Sequence, residues 1–347
     1  MSERRAYLDV GVGETRGVIT LDGRPERLLI SRDGDAAVQT LGAEVVARVR
    51  KVERALGLAF LDLGEGPDAV LNLKPEMGRI GEGQALAVEI RTEARTGKGA
   101  SARLIGEAEG PPRLTKPAPT IEDELHATLR KGEVATGPAA RRMADEAEAE
   151  ALERIFQLPG GGSLAIERTR ALVAVDVDVG ERAGQESKKV ARAANLAALA
   201  TAARVLRLKG EGGLVVIDLA GRGHDGPPLL AAARNAFAPD NPGVAFGPIS
   251  RFGTLELTIP SRRRSVAERL LDADGRPTVL TTALRLIRAL EREAMADPGA
   301  RLAVRAAPDV AAAAAPYLKA LAERFGGRLA LAPDAARPRE SFEIGPA

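Results

Sequence analysis

The chain has 347 residues, enough for two or three domains with cores of their own. Cysteine is absent and only two histidines occur, His126 and His224, which excludes disulfides, thiolate metal sites and a His-based zinc site. The net charge of +2 neither requires nor excludes a nucleic-acid partner. No run of about 18 apolar residues is present to span a membrane, and no apolar signal core follows Met1, so a soluble cytoplasmic protein is expected.

Residues 1–35 read as strands joined by tight turns, with Asp22-Gly23 as a hairpin signal. Residues 36–106 hold about five short strands separated by Gly turns, which predicts a small closed barrel of the OB type. A Pro cluster (Pro111, Pro112, Pro117, Pro119) precedes Thr120-Ile121-Glu122-Asp123, a helix start, and residues 139–156 form an acidic, Ala-rich helix. Residues 163–260 alternate strand and helix, and residues 277–332 read as a small separate unit of helix, strand, helix, strand. The tail from Ala335 is Pro- and Arg-rich and is expected to fray.

Two apolar runs end in carboxylates: Ala171–Asp178 (ALVAVDVD) and Gly212–Asp218 (GGLVVID). Their continuous apolarity is the pattern of strands buried on both faces of a parallel sheet. If the strands are neighbours, Asp176, Asp178 and Asp218 converge at one sheet edge, where a bound cation relieves their repulsion most simply. Asp176 and Asp178 are two apart on a strand and point to one face. Hard carboxylate oxygens suit Mg²⁺ or Mn²⁺. The alternative is that these are N-caps or loop carboxylates.

Asn195 stands inside an Ala-rich helix, where it either orients a water or metal ligand beside the aspartates or is simply exposed or bonded to its own helix. Arg251, and Arg262 in the run Ser261–Arg264, supply guanidinium groups for phosphate, or else a solvated loop. Phe60 is a scarce aromatic on a barrel strand, able to stack on a base or to fill the barrel. Lys98 occupies a Gly-flanked loop, as a phosphate contact or a plain turn residue. The Gly-rich stretch Gly11–Gly17 lacks the spacing and following helix of a nucleotide loop.

Six blocks resemble the ribonuclease E/G family in order and spacing: Leu158–Leu164 (LPGGGSL), Ala171–Val179 (ALVAVDVDV), Asn195-Leu196, Arg207-Leu208, Gly212–Asp218 (GGLVVID) and Ile249–Leu257 (ISRFGTLEL). The resemblance implies an α/β fold: a catalytic unit with RNase H-like and DNase I-like parts, an inserted OB-fold barrel and a C-terminal α+β small domain. The corresponding boundaries are 1–35 plus 107–157 for the RNase H-like scaffold, 36–106 for the barrel, 158–270 for the metal-binding catalytic domain, 276–334 for the small domain and 335–347 for the tail.

It further implies internal cleavage of single-stranded RNA with Mg²⁺ (or Mn²⁺) held by Asp176 and Asp218. Asp178 and Asn195 would support the metal or its waters. Phe60, Lys98, Arg251 and Arg262 would contact RNA. Asp178 stands where better-known members carry Asn, and Val70 stands near the place of a second stacking aromatic. The family's Cys-x-x-Cys link is missing between Leu271 and Pro277, so no zinc and no zinc-linked pairing of subunits is expected, and a homodimer through the small domain stays open. The segment preceding the catalytic unit is short, so a pocket for an RNA 5′-monophosphate is not expected. Two rivals stay open: a non-catalytic RNA-binding protein of the same fold, and a metal-dependent phosphoesterase acting on DNA or small nucleotides.

Overall fold

The computed structural model describes residues 3–95, 97–129, 132–180, 187–221, 225–238 and 243–347, so His224 lies outside the described residues. Three strands open the chain, β1 (Arg4–Val10), β2 (Glu14–Leu21) and β3 (Arg24–Arg32), as an antiparallel meander whose β2–β3 hairpin turns at Asp22-Gly23. The chain then builds the barrel from β4 (Glu44–Glu53), β5 (Leu58–Asp62), β6 (Ala69–Asn72), β7 (Ala85–Thr92) and β8 (Ser101–Glu107). These strands close in the order β4-β5-β6-β8-β7 and back to β4, with β6 and β8 parallel, while β9 (Arg113–Lys116) lies along β4. Period-2 patterning explains the closure: Ala59, Leu61, Val45, Ala47, Val49, Leu71, Val88 and Ile90 point inward and are buried. The five expected strands therefore form an OB-like barrel.

Returning to the first sheet, α1 (Ile121–Leu129) and α2 (Gly137–Leu152) pack on it, and β10 (Val134–Ala135) adds parallel to β1. A six-stranded sheet follows, built from β11 (Ile155–Gln157), β12 (Ser163–Arg168), β13 (Val173–Asp178), β14 (Gly213–Asp218), β15 (Ala245–Ile249) and β16 (Thr254–Ile259). Its order is β11-β12-β13-β14-β16-β15, and β13–β14 is its one parallel pair. Helices α3 (Ser187–Lys209) and α4 (Gly226–Phe237) cover one face, where Val175, Val177, Val215, Ile217, Leu255 and Leu257 meet Ala198, Leu199, Ala202 and Phe237.

The expectation of strands buried on both faces is corrected here. Alternate residues of β13 and β14 are half-buried or exposed, and Leu214 is 40% exposed. The small side chain of Ala174 and the tolerated exposure of Leu214 made one-sided strands look two-sided, because a run of apolar residues carries no period to separate the cases.

The short helix α5 (Val266–Leu270), started by a Ser265/Glu268 capping box, leads to α6 (Val279–Ala296), β17 (Leu302–Ala306), α7 (Pro308–Phe325), β18 (Leu329–Pro333) and β19 (Phe342–Pro346). Strand β17 is central, pairing parallel with β18 and antiparallel with β19. The tail is thus not frayed: its last strand completes this sheet, and Phe342 and Ile344 pack on its core.

The C-terminal unit keeps a core of its own and is tied by charges to the N-terminal sheet. Arg288 of α6 pairs with Glu14 of β2 and with Glu148 of α2, Arg285 lies 2.7 Å from Glu148, and Glu291 lies 2.8 Å from Arg141. Arg16, fully buried, joins the same network through Asp9 (2.6 Å), Asp145 (2.8 Å) and Glu148 (3.0 Å). Gly13 adopts φ +81°, and an added Cβ would sit 2.4 Å from a ring carbon of Tyr317 on α7. The Gly11–Gly17 stretch is therefore a docking turn for the C-terminal unit.

The barrel is likewise fastened. Arg269 reaches Asp35 (2.7 Å) and Glu93 (3.3 Å), Arg264 reaches Asp35 (3.2 Å), and the Glu93 N–H donates to the Arg262 carbonyl (2.8 Å). Among the described residues no helix is long and apolar enough to cross a membrane.

Candidate active site

The open face of the six-stranded sheet carries the carboxylates. The register aligns Ala165, Asp176, Asp218 and Thr254 in one row across β12, β13, β14 and β16, and places Asp178 opposite Ser163 one step further along. Directly paired residues share a face, and neighbouring strands run about 4.8 Å apart, so Asp176 and Asp218 stand side by side. Both are exposed. Neither has a hydrogen-bond or ion-pair partner among the described residues, and small or half-buried neighbours, Ala165 and Thr254, flank them. Two like charges facing each other across a strand pair are unfavourable, so the arrangement is not explained by stability.

The third carboxylate is turned to local use: Asp178 Oδ1 accepts the Gly180 N–H at 2.9 Å. Among the described residues no cluster of three or more metal-ligating side chains exists, so the expected convergence reduces to the Asp176–Asp218 pair. The LPGGGSL turn abuts this edge. Gly162 has φ +82°, and a Cβ there would lie 2.3 Å from the Asp178 carbonyl oxygen, so only glycine lets the turn close on β13.

Asn195 lies one layer below. It is 1% exposed; its Nδ2 donates to the Ala220 carbonyl at 3.0 Å and its Oδ1 accepts the Ala220 N–H at 2.9 Å. Its amide is thus committed to the backbone two residues past Asp218, which corrects the expectation that it faces a water or an ion. It positions the segment that leaves the site.

Arg251 is brought to the site. It sits on the Ser250–Gly253 turn between β15 and β16, and the Gly253 carbonyl accepts the Leu219 N–H at 3.1 Å, directly after Asp218. Phe252, the next residue, is exposed on the same turn; nothing in its sequence context marks it, because exposure is decided by the fold. Arg262 is not brought to the site. It lies past the end of β16 where Ile259 pairs with Gly213, the opposite end of β14 from Asp218, about 17 Å along the strand. There it lines a crevice of about 350 Å³ with Arg27, Arg263 and Arg264 at the barrel junction. Arg263 and Arg264 are taken by Glu124 (2.5 Å) and Asp35.

On the barrel, Phe60 points outward: it is half-buried between inward Ala59 and Leu61, and it lies between Lys51 of β4 and Val70 of β6. Lys98 is exposed on a hairpin closed by the Arg95–Lys98 bridge, and the Ala100 carbonyl after it accepts the Val70 N–H at 2.7 Å. Phe60, Val70 and the Lys98 loop therefore share one region of the barrel. Arg95 of that hairpin donates to Ser261 Oγ, tying this region to the chain just past β16 of the six-stranded sheet.

Fold and site together define a protein that joins an exposed pair of carboxylates on a one-sided α/β sheet to an OB-like barrel. The comparisons with known proteins agree: residues 119–265 match the model of the Ribonuclease E/G family, and this segment contains Asp176, Asp218, Asn195 and Arg251. The chain is 37% identical to ribonuclease E of Haemophilus influenzae over 115 residues, 31% of this chain and 12% of that protein. It is 32% identical to ribonuclease E of Escherichia coli over 161 residues, 42% and 15% of the two chains. It is 30% identical to ribonuclease G of Salmonella typhimurium over 173 residues, 47% and 35%. The chain is thus related to the ribonuclease E/G family, and the matches span about a third or less of these relatives' length.

Proposed function

We propose that this chain is a Mg²⁺-dependent endoribonuclease that cuts single-stranded RNA by attack of water on the phosphodiester. The observation that carries the reading is the Asp176–Asp218 pair, side by side, solvent-facing and without a cation partner among the described residues, inside the segment that matches the Ribonuclease E/G family. Relatives of that segment are named ribonuclease E and ribonuclease G.

The donor set suits the ion. Mg²⁺ is commonly held by one or two carboxylates and keeps several waters, which two exposed carboxylates side by side allow; Mn²⁺ suits the same oxygens. When bound, the ion would supply a water of lowered pKa and offset charge on the phosphate.

The remaining roles belong to the chain. Asp176 and Asp218 hold the ion. Asp178 fixes the end of β13 and adds negative charge beside them, and Asn195 fixes the segment after Asp218. Arg251 offers a guanidinium to the phosphate backbone next to the carboxylates. Phe60 stacks a base on the barrel while Lys98 and, at the junction, Arg262 track the backbone, so binding weakens steeply with salt.

Cleavage of a structured precursor RNA tests this reading. Wild type should cut with Mg²⁺ and stop with chelator, and Asp176→Asn or Asp218→Asn should lose about 100-fold or more in rate. Mg²⁺-dependent cutting that survives both substitutions would sink the assignment, and cutting of DNA as readily as RNA would redirect it to a general phosphoesterase.

A further inference from the structure

Phe252 is the most exposed large apolar side chain among the described residues, at 76%. The chain has seven Phe and no Trp, so a ring left in water is conspicuous. Its backbone is held firmly. The Ser250 N–H donates to the Thr254 carbonyl (2.9 Å), and the Gly253 N–H donates to the Ser250 carbonyl (3.0 Å). Ser250 Oγ accepts the Phe252 and Thr254 N–H groups (both 3.2 Å) and lies 2.7 Å from Thr254 Oγ1. The turn is anchored to the site as well: Thr254 is the register partner of Asp218, and Gly253 accepts the Leu219 N–H. Phe252 therefore springs from a rigid turn two residues from the partner of a candidate metal ligand.

The ring is also prepared for a particular guest. The Arg251 guanidinium lies over it, 4.6 Å from its centroid, while most of the ring stays open to solvent. A cation and an aromatic face side by side match the phosphate and the base of one nucleotide. The surroundings are carboxylate-rich, with Asp176, Asp178, Asp218 and Glu256 on the same sheet face, unlike the broad apolar patch a protein partner would need.

We infer that Phe252 is a stacking platform for the RNA base next to the phosphate held at Asp176 and Asp218, with Arg251 on that nucleotide's phosphate. This rests on the RNA-cleavage reading and adds to it a residue that selects unstacked, single-stranded RNA at the point of cutting.

Because the chain lacks tryptophan, Phe252→Trp places a unique fluorophore at the platform. In an Asp218→Asn background, which keeps RNA intact, a short single-stranded RNA should quench its emission, and an abasic strand of equal length should not. Phe252→Ala should weaken binding of labelled RNA, followed by anisotropy, about tenfold, with Phe252→Tyr restoring it and the melting temperature unchanged. Binding with unquenched emission, or equal affinity in Phe252→Ala, would overturn this inference while leaving the nuclease reading intact. Absence of any RNA binding would overturn both.

Discussion

The site concentrates its cost in a few residues. Asp176 and Asp218 repel each other and gain no partner among the described residues, so their replacement by Asn should remove cleavage while leaving the melting temperature equal or higher, the mark of residues kept for chemistry. Asn195 behaves oppositely. It satisfies both backbone groups of Ala220 from a buried position. Asn195→Leu, which strands that N–H and C=O, should cost about 2–4 kcal/mol in urea unfolding. The same variant should slow cleavage, since Ala220 lies two residues past Asp218. An unchanged unfolding midpoint would show that this bond does not anchor the segment.

At the level of elements, α6 is the joint between the N-terminal sheet and the C-terminal unit. Arg288 faces Glu14 and Glu148, and removing it takes one cation from each of two buried carboxylates, leaving Glu14 with Arg32 and Glu148 with Arg16 and Arg285. Arg288→Met should therefore destabilise the protein by about 1–3 kcal/mol, read from denaturant unfolding. Acid should act on the same joint. Burial by itself would raise the Glu148 carboxyl, but Arg288, Arg285 and Arg16 outweigh it and hold it below its ordinary 4.5. A lowered folded-state value means the stabilisation is complete above the unfolded-state value and is lost as pH falls through the folded one. Stability should thus drop below about pH 4.5, and Glu148→Gln, weaker at neutral pH, should show a flatter profile over that acid range in thermal unfolding.

For the whole molecule, the decisive feature is how the barrel is held against the six-stranded sheet. Asp35 gathers Arg269 and Arg264, and Glu93 bonds both Arg269 and the chain at 262–264. Burial tends to raise the Asp35 carboxyl, yet Arg269, the Arg32 N–H and Arg264 bring it below its ordinary 3.8. Asp35→Asn should loosen the junction without unfolding either part. Faster amide exchange in the 93–95 and 261–264 segments, and a loss of affinity for long RNA greater than for RNA short enough to touch only the sheet, would report this. Equal losses for both lengths would mean that barrel and sheet do not act on one strand.

Much of this was readable from the sequence because its signals are local. Gly turns and alternating apolar residues in 36–106 announce a barrel whose inner and outer positions follow from period 2. Carboxylates ending two apolar runs mark the site, because charge at a strand end needs a reason wherever the strand lies. Other facts depend on what the fold brings alongside. Runs such as ALVAV cannot tell one covered face from two, and the sheet left one face open. Arg262 and Arg251 look equivalent in sequence, yet they sit at opposite ends of the β14–β16 pair. Asn195 looked available until Ala220 took both ends of its amide, and Phe252 drew notice only when the turn left it in water. The tail pattern reads as loose, but the unpaired edge of β17 gave it a strand to join. Period and charge are written along the chain; exposure, pairing and which end of a strand a residue reaches are set by contacts between distant segments.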